Sequence, residues 1–327
     1  MSRWFDSPIL HQLYNISIDK IGGCYVIAKR NGFKTNWLVN QYKTFFDNKK
    51  IIFDIHDSVI SPDDSTLFTT SGMQQYKKLF SDVLYKGTFS NIQKCLRLND
   101  LDEIGDGTHH LVFDMLGFFS FREYTVKQTI DLMMEFCLSI NIKPDYVTIH
   151  RDKFDEWKHF YTEYDVEIRI DNECLWSDGN IGGYCTEFYK NDVEIGNIVN
   201  TLGTCIDVGF GLQRLKMVLG LREKKTRRDI LEETCLTLID SGVELSHYGH
   251  GYILKKLVTE CIMLGSTISH EYFEKIKQNQ IEIYKNYLRL SSRKSNKDKT
   301  DEYWLSTMGF NRKYEHIYMM LFDNVDY

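Results

Sequence analysis

Only three prolines punctuate this chain of 327 residues, and no window is dominated by one or two residue types. With 43% apolar and 26% charged residues, that excludes a low-complexity polymer and suits a globular chain with a sizeable core. No apolar run reaches the 18 residues a membrane span needs, and the first residues lack the pattern of a secretory leader, so a cytoplasmic protein is expected. The eight cysteines include no C-x-x-C pair and are spread through apolar stretches. Buried free thiols in a reducing compartment are therefore expected, rather than a disulfide framework or a zinc site. Positive charge is not in excess: the formal net charge is −6, which does not favour RNA or DNA as a partner on bulk charge. A Walker-type loop, a dinucleotide-binding glycine fingerprint and a G-x-S-x-G elbow are all missing, so any nucleotide site is of another kind.

What is present divides near residues 222–226. Up to there, short alternating strands and amphipathic helices mix; beyond it, strand signals vanish and helical periods dominate over 227–240, 251–264 and 271–289. The pattern predicts an α+β fold: a mostly antiparallel sheet flanked by helices, followed by a helical C-terminal domain. Residues 1–35 form an N-terminal extension with a turn at Gly22-Gly23, 36–225 the mixed domain and 226–327 the helical one. A helix is predicted over 36–49, with Trp37, Leu38, Tyr42, Phe45 and Phe46 on one face, and another over 125–140. Strands are predicted over 51–60 and 67–70, and a glycine-rich loop over 176–183. A polar basic linker is expected over 291–300 and a last helix over 311–322.

Residues 93–121 read as strand, acidic loop, strand, with a break at Gly117. Arg97 at the loop base offers a planar fork of donors to a phosphate, and Phe113 on the return strand offers a flat face to a base. A surface arginine beside a core phenylalanine has the same spacing. Asp207 lies between apolar neighbours in Cys205-Ile-Asp-Val-Gly-Phe-Gly-Leu-Gln-Arg214, where an ionised carboxylate is costly unless paired; a bound ammonium would pair it. Trp176, Glu187 and Asn197 interrupt apolar strands and suit either a pocket rim or an edge strand. His109 and His110 are adjacent, and neighbours on a strand point to opposite faces, which argues against a shared metal.

Taken in order, these segments resemble the catalytic domain of alanyl-tRNA synthetases over roughly 36–265. Asp64-Ser-Thr-Leu-Phe-Thr-Thr-Ser-Gly-Met-Gln-Gln-Tyr-Lys resembles D-P-T-L-L-F-T-N-A-G-M-N-Q-F-K. Gln93-Lys-Cys-Leu-Arg97, Asn99-Asp-Leu-Asp-Glu-Ile-Gly105 and His109-His-Leu-Val-Phe-Asp-Met-Leu-Gly-Phe-Phe-Ser-Phe121 resemble the family's second motif. Cys185-Thr-Glu187, Gly196-Asn-Ile-Val199 and Ile206-Asp-Val-Gly-Phe-Gly-Leu-Gln-Arg214 resemble C-T-E, W-N-I-V and the third motif. Even 242–254 resembles a stretch of the family's helical domain.

The resemblance implies a class II synthetase sheet, ATP with Mg2+, a small amino acid (alanine by default) and an aminoacyl-adenylate intermediate. It implies that Arg97 and Arg214 are the catalytic arginines, on the α- and γ-phosphate sides, with Phe113 stacked on adenine and His109 and Gly211 also contacting ATP. Asp207 would anchor the α-ammonium, while Trp176, Asn197, Val199 and Met73 line the amino-acid pocket; Glu187 is the one candidate protein ligand to the metal. The chain departs from the pattern in several places. The loop after Arg97 lacks an A-G-G-K-H insert and its lysine, Thr108 replaces an arginine, and Gln213 replaces a glutamate. Val208 and Asn200 replace a threonine and a phenylalanine, and two lysines follow Leu254 where the family is dense in arginine. The editing and C-terminal domains are not expected in this chain. These losses face tRNA, so the expected acyl acceptor is a small molecule or a carrier protein. A minimal tRNA-aminoacylating ligase without editing and a non-catalytic paralogue remain the alternatives.

Overall fold

The computed structural model describes residues 37–63, 65–179, 181–221, 224–296 and 298–323 fully, and the strands Ser17–Ile21 and Cys24–Ala28 by their backbone. The expected turn at Gly22-Gly23, most of the N-terminal extension, Asp64 and Asn180 lie outside the described residues.

In chain order the strands are β1 Ser17–Ile21, β2 Cys24–Ala28, β3 Ile52–His56, β4 Gly87–Leu96, β5 Val112–Phe121, β6 Tyr146–Ile149, β7 Glu167–Ile170, β8 Leu175–Asp178, β9 Ile181–Lys190, β10 Val193–Thr201 and β11 Cys205–Gly211. The helices are α1 Trp37–Asn48, α2 Lys77–Ser81, α3 Val126–Ser139, α4 Arg151–Trp157, α5 Leu212–Val218, α6 Arg227–Asp240, α7 Gly249–Met263, α8 Glu271–Ser291, α9 Asp301–Met308 and α10 Glu315–Asp323. Strands β1 and β2 pair antiparallel on their own. The main sheet runs β3-β4-β5-β11-β10-β9-β6-β7, with β8 paired to β9. It is antiparallel through its centre and parallel at β3/β4 and β6/β7. The α+β class with an antiparallel sheet flanked by helices is therefore present, as is the helical C-terminal region.

Two compact units emerge from the contacts. One comprises 1–58, 69–95 and 113–223; the other comprises 59–68, 96–112 and 224–327. The linear division at 225 thus differs from the contacts at two places, because the hairpin tip and 59–68 group with the helices. The reason is apolar: Val59, Phe68, Leu96, Ile104 and Leu111 are buried in one core with Leu231, Leu238, Leu254, Val258 and Phe273.

In the first unit, register makes the sheet two-sided. Phe118 pairs with Val208, Ile198 with Val208 and Thr186, and Leu116 with Phe210, so these residues share a face. That face packs on Leu38, Tyr42 and Phe46 of α1, on Ile130, Met133 and Phe136 of α3, and on Trp157 and Tyr161. Thr125 starts α3 by accepting the backbone N–H of Gln128 at 3.3 Å, while Gln128 reaches back to the Thr125 N–H at 3.0 Å.

Several local expectations change. Residues 67–70 form no strand; Phe68 makes a single bridge to Ile60. The predicted loop over 176–183 is a tight hairpin, with Trp176 inside β8. Its glycines serve backbone approach: a Cβ on Gly183 would lie 2.0 Å from the Asn200 carbonyl oxygen. Gly117 does not break β5. It leaves room for Asn91, whose Oδ1 would lie 2.3 Å from an added Cβ. A helix at 301–308 lacked a sequence signal of its own, and the 291–300 segment holds a short 3-10 turn at Lys294–Asn296.

Gly196 presses its backbone on the Phe210 ring, where a Cβ would stand 2.4 Å from Cγ. Both lie on rigid strands, so Gly196→Ala is expected to cost about 1–3 kcal/mol by overpacking. A fall in the urea unfolding midpoint with an unchanged slope would show it.

Candidate functional site

The face of the first unit's sheet opposite the α1/α3 core carries the polar residues. Strand pairing fixes which ones: Asp207 sits opposite Phe119 on one side and Val199 on the other; Asn197 sits between Gly209 and Glu187; Thr148 faces Glu187 from β6. Since directly paired residues point the same way, Phe119, Asp207, Val199, Asn197, Glu187 and Thr148 share one face. The alternation that buries Ile198, Ile206 and Val208 turns Asn197, Val199 and Asp207 to this side.

Asp207 is the chemically exposed point of that row. It is half-buried, and no hydrogen bond or ion pair reaches its carboxylate among the described residues. Desolvation alone raises its pKa to about 7. Its neighbours are apolar, so nothing compensates the charged form, and a cationic group brought alongside would.

The other amino-acid residues expected from sequence come together around it. Met73 is fully buried with Phe119, Phe121 and Cys205. Trp176 packs against that cluster and against Val199, Cys174 and Cys185. A Lys77–Asp178 ion pair at 2.6 Å ties β8 to the segment following Met73. Asn91 Nδ2 donates to the Gly72 carbonyl at 3.2 Å, and the Gly72 N–H points to Met115 Sδ at 3.5 Å, which fixes that segment over β5. A Cβ on Gly209 would stand 3.1 Å from Met115 Sδ and 3.7 Å from Asn197 Oδ1, so the missing side chain makes room for Met115 beside Asn197.

The nucleotide residues divide between the units. Phe113, Gly211 and Arg214 belong to the first, Arg97 and His109 to the second. Arg214, in the first turn of α5, donates to Glu194 Oε2 at 2.6 Å and to the Glu194 carbonyl at 3.0 Å. This pair of half-exposed groups holds the guanidinium toward a carboxylate, a position an anionic phosphate oxygen can also fill. Glu194 carried no sequence signal, being twenty residues from its partner. Gln213 places its amide oxygen 3.0 Å from the Asp114 backbone nitrogen and its Nε2 3.4 Å from Asp114 Oδ2.

His109 is held by its own loop: Nδ1 lies 2.6 Å from Asp106 Oδ2 and Nε2 3.0 Å from Glu103 Oε2. Asp106 is pulled well below the usual carboxylate range; burial opposes this, but hydrogen bonds from Thr108 and from the His109 backbone outweigh it. The loop itself is anchored. Arg227 of α6 donates to the Leu101 carbonyl at 2.7 Å and to Glu260 Oε1 at 2.7 and 2.8 Å, and its Cβ stands 3.4 Å from where a Cβ on Gly105 would be.

Glu187 does not fit a magnesium site. Its carboxylate accepts from Tyr189 at 2.8 Å, and its near neighbours are the thiols of Cys174 and Cys185, which Mg2+ does not select. No other described group of three His, Cys, Asp or Glu side chains converges within 4.8 Å.

The raised Asp207 pKa has a signed consequence. An acid whose pKa rises on folding contributes stability below its unfolded value, lost as pH climbs through about 7. Asp207→Asn is therefore expected to be more stable than the parent at about pH 8, the gain vanishing toward about pH 4. Urea melts across that range, read as the difference between the two proteins, check this.

Comparison with known proteins follows the same residues. A family model described as tRNA synthetases class II (A) matches residues 38–185. The alanine–tRNA ligase of Francisella philomiragia is 30% identical over an alignment of 312 residues, covering 72% of this chain. That of Francisella tularensis is 29% identical over the same share. The chain spans 36% of the length of these relatives. Among solved structures, apo histidyl-tRNA synthetase of S. aureus aligns at a TM-score of 0.40 and 10% identity over 56% of this chain and 64% of its own. The motifs, their order and the matched segment lead to one conclusion: the chain carries an alanyl-tRNA synthetase-like class II catalytic domain.

Proposed function

We propose that the protein activates a small amino acid, alanine by default, with ATP to give an aminoacyl-adenylate. The observation that carries this reading is the Asp207 carboxylate, half-buried and unpartnered on a face shared with Asn197 and Val199. It is a ready counter-ion for an α-ammonium. Trp176, Val199 and Met73 around it leave an apolar surround that suits a short side chain.

In the proposed step a carboxylate oxygen of the amino acid attacks the α-phosphorus of ATP. The bond from that phosphorus to the bridging α,β-oxygen breaks, and pyrophosphate leaves. No proton moves, so no general base is needed; positioning and neutralisation of charge supply the rate. Asp207 holds the ammonium. Arg214 exchanges its Glu194 partner for the γ-phosphate side, Phe113 stacks on the adenine and Gly211 completes the first unit's contacts to ATP; for Arg97 and His109 the resemblance alone implies the α-phosphate side and a further ATP contact. Mg2+ would accompany the triphosphate and neutralise part of its charge; Glu187 is not assigned to it.

The acceptor we propose is a small molecule or a carrier protein rather than a whole tRNA. The short loop after Arg97, Thr108, the thin basic content after Leu254 and the net charge of −6 support this.

Amino-acid-dependent exchange of labelled pyrophosphate into ATP is the direct test. Exchange is expected with alanine or another small amino acid, and absence of exchange with every proteinogenic amino acid sinks the reading. Arg97→Ala should abolish exchange, and Asp207→Ala should raise the amino-acid KM by about 10–100-fold, as expected for a lost charge-assisted contact. Robust charging of tRNA by the same preparation would replace the proposed acceptor with tRNA and leave the activation step standing.

A further inference from the structure

We infer that Cys174, Cys185 and Glu187 form a binding site for a thiophilic divalent cation of the Zn2+ class. The sheet builds this site by register. β8 and β9 are antiparallel, with Leu175 opposite Tyr184, and the ladder extends one step further through the Cys185 N–H donating to the Cys174 carbonyl at 2.9 Å. The two cysteines are thus cross-strand neighbours and point to the same side. Glu187 is two residues beyond Cys185 on β9, so the pleat returns it to that side. One donor atom from each residue falls within 4.8 Å of the other two.

The donor set and its surroundings select the cation. Two thiolates with one carboxylate suit zinc or cobalt, whereas magnesium and calcium take oxygen. Both cysteines are almost wholly buried, so solvent does not satisfy their thiols, and Glu187 is half-buried. The next shell is polar. Tyr189 donates its hydroxyl to Glu187 Oε2 at 2.8 Å, fixing the carboxylate, and Thr148 Oγ1 stands 3.0 Å from Cys174 Sγ and 3.5 Å from Glu187 Oε2. An oriented carboxylate beside a hydroxyl that bonds both it and a thiol is the kind of support that metal ligands receive.

Binding of the dication would release the two thiol protons to solvent. Trp176 and Val199 pack on the two cysteines, so the cation would stiffen a wall of the proposed amino-acid pocket. The inference does not depend on that pocket's activity, since it is read by metal binding alone.

The test is titration of the chelator-stripped full chain with Co2+ and, in competition, Zn2+. A single equivalent of Co2+ should bind and give thiolate-to-cobalt charge-transfer absorption in the near ultraviolet, displaced by Zn2+. Cys174→Ser and Cys185→Ser should each lose that absorption, and Cys235→Ser, in the other unit, should keep it. Glu187→Gln, nearly isosteric, covers the case in which a serine variant does not fold. It should retain the thiolate absorption and bind Zn2+ at least about tenfold more weakly. The inference is overturned by a parent protein without the absorption, by absorption that survives both serine substitutions, by unchanged Zn2+ affinity in Glu187→Gln, or by a Cys174–Cys185 disulfide in the freshly purified protein.

Discussion

The pairing register of β5, β11, β10 and β9 is the constraint on which the rest depends. Side chains alternate across a strand, so one register decides both faces at once. With Val208 against Phe118 and Ile198, the strands deliver Leu116, Ile206, Phe210 and Phe188 to the α1/α3 core. The same register leaves Phe119, Asp207, Asn197 and Glu187 together on the other side. A slip of one residue would bury Asp207 among phenylalanines and expose the core. The apolar residues therefore fix which polar residues share the opposite face. The glycines complete the device: at 117, 183 and 196 a side chain would collide with Asn91, the Asn200 backbone or Phe210, and at 209 its absence makes room for Met115 beside Asn197.

That alternation is what made the fold legible from sequence. Helices α1 and α3, strands β9 to β11 and the α+β class all follow from periods of about 3.6 and 2 in the apolar residues. Asp207 stood out for a different reason: between Ile206 and Val208 it is a charge where a strand wants none, and the proposed pocket is built around it. What escaped was pairing between distant segments. Trp176 read as part of a loop because Gly179, Gly182 and Gly183 cluster beside it, but two of those glycines lie within β9, where backbones crowd. Nothing local linked Glu194 to Arg214, or Cys174 to Cys185, since each pair meets only when strands or a helix and a strand come together. The hairpin tip was assigned to the strand-rich half by its place in the chain, while Ile104 and Leu111 are buried in the helical half.

Two buried or half-buried acids on one face have opposite solutions. Asp207 has no partner among the described residues, and the proposed function gives it a cation that arrives with a ligand. Glu187 is already bonded to Tyr189 and crowded by thiols, and the cation inferred for it is one that stays. The Asn197 and Val199 positions separate them, so the two demands need not compete. Assigning Glu187 to Mg2+ from sequence overlooks the sulfur atoms, which only the β8/β9 register brings into the same space.

The loop after Arg97 sharpens the question of the acceptor. A loop that must admit a large polynucleotide gains from length, lysine and freedom to move. This one lacks the lysine-bearing insert, folds Ile104 into an apolar core, and is tied to α6 and α7 through Arg227, whose guanidinium joins the Leu101 carbonyl to Glu260. Charge-assisted bonds of this kind, in half-buried surroundings, are each worth about 1.5–3 kcal/mol against leaving the carbonyl and carboxylate unmet. His109 is held in the same loop by Asp106 and Glu103, whose carboxylates lie 2.6 and 3.0 Å from its two ring nitrogens. A loop closed on itself in this way supports the compact acceptor proposed above. The same shortening that departs from the family's second motif thus agrees, in its contacts, with the charge balance of the whole chain.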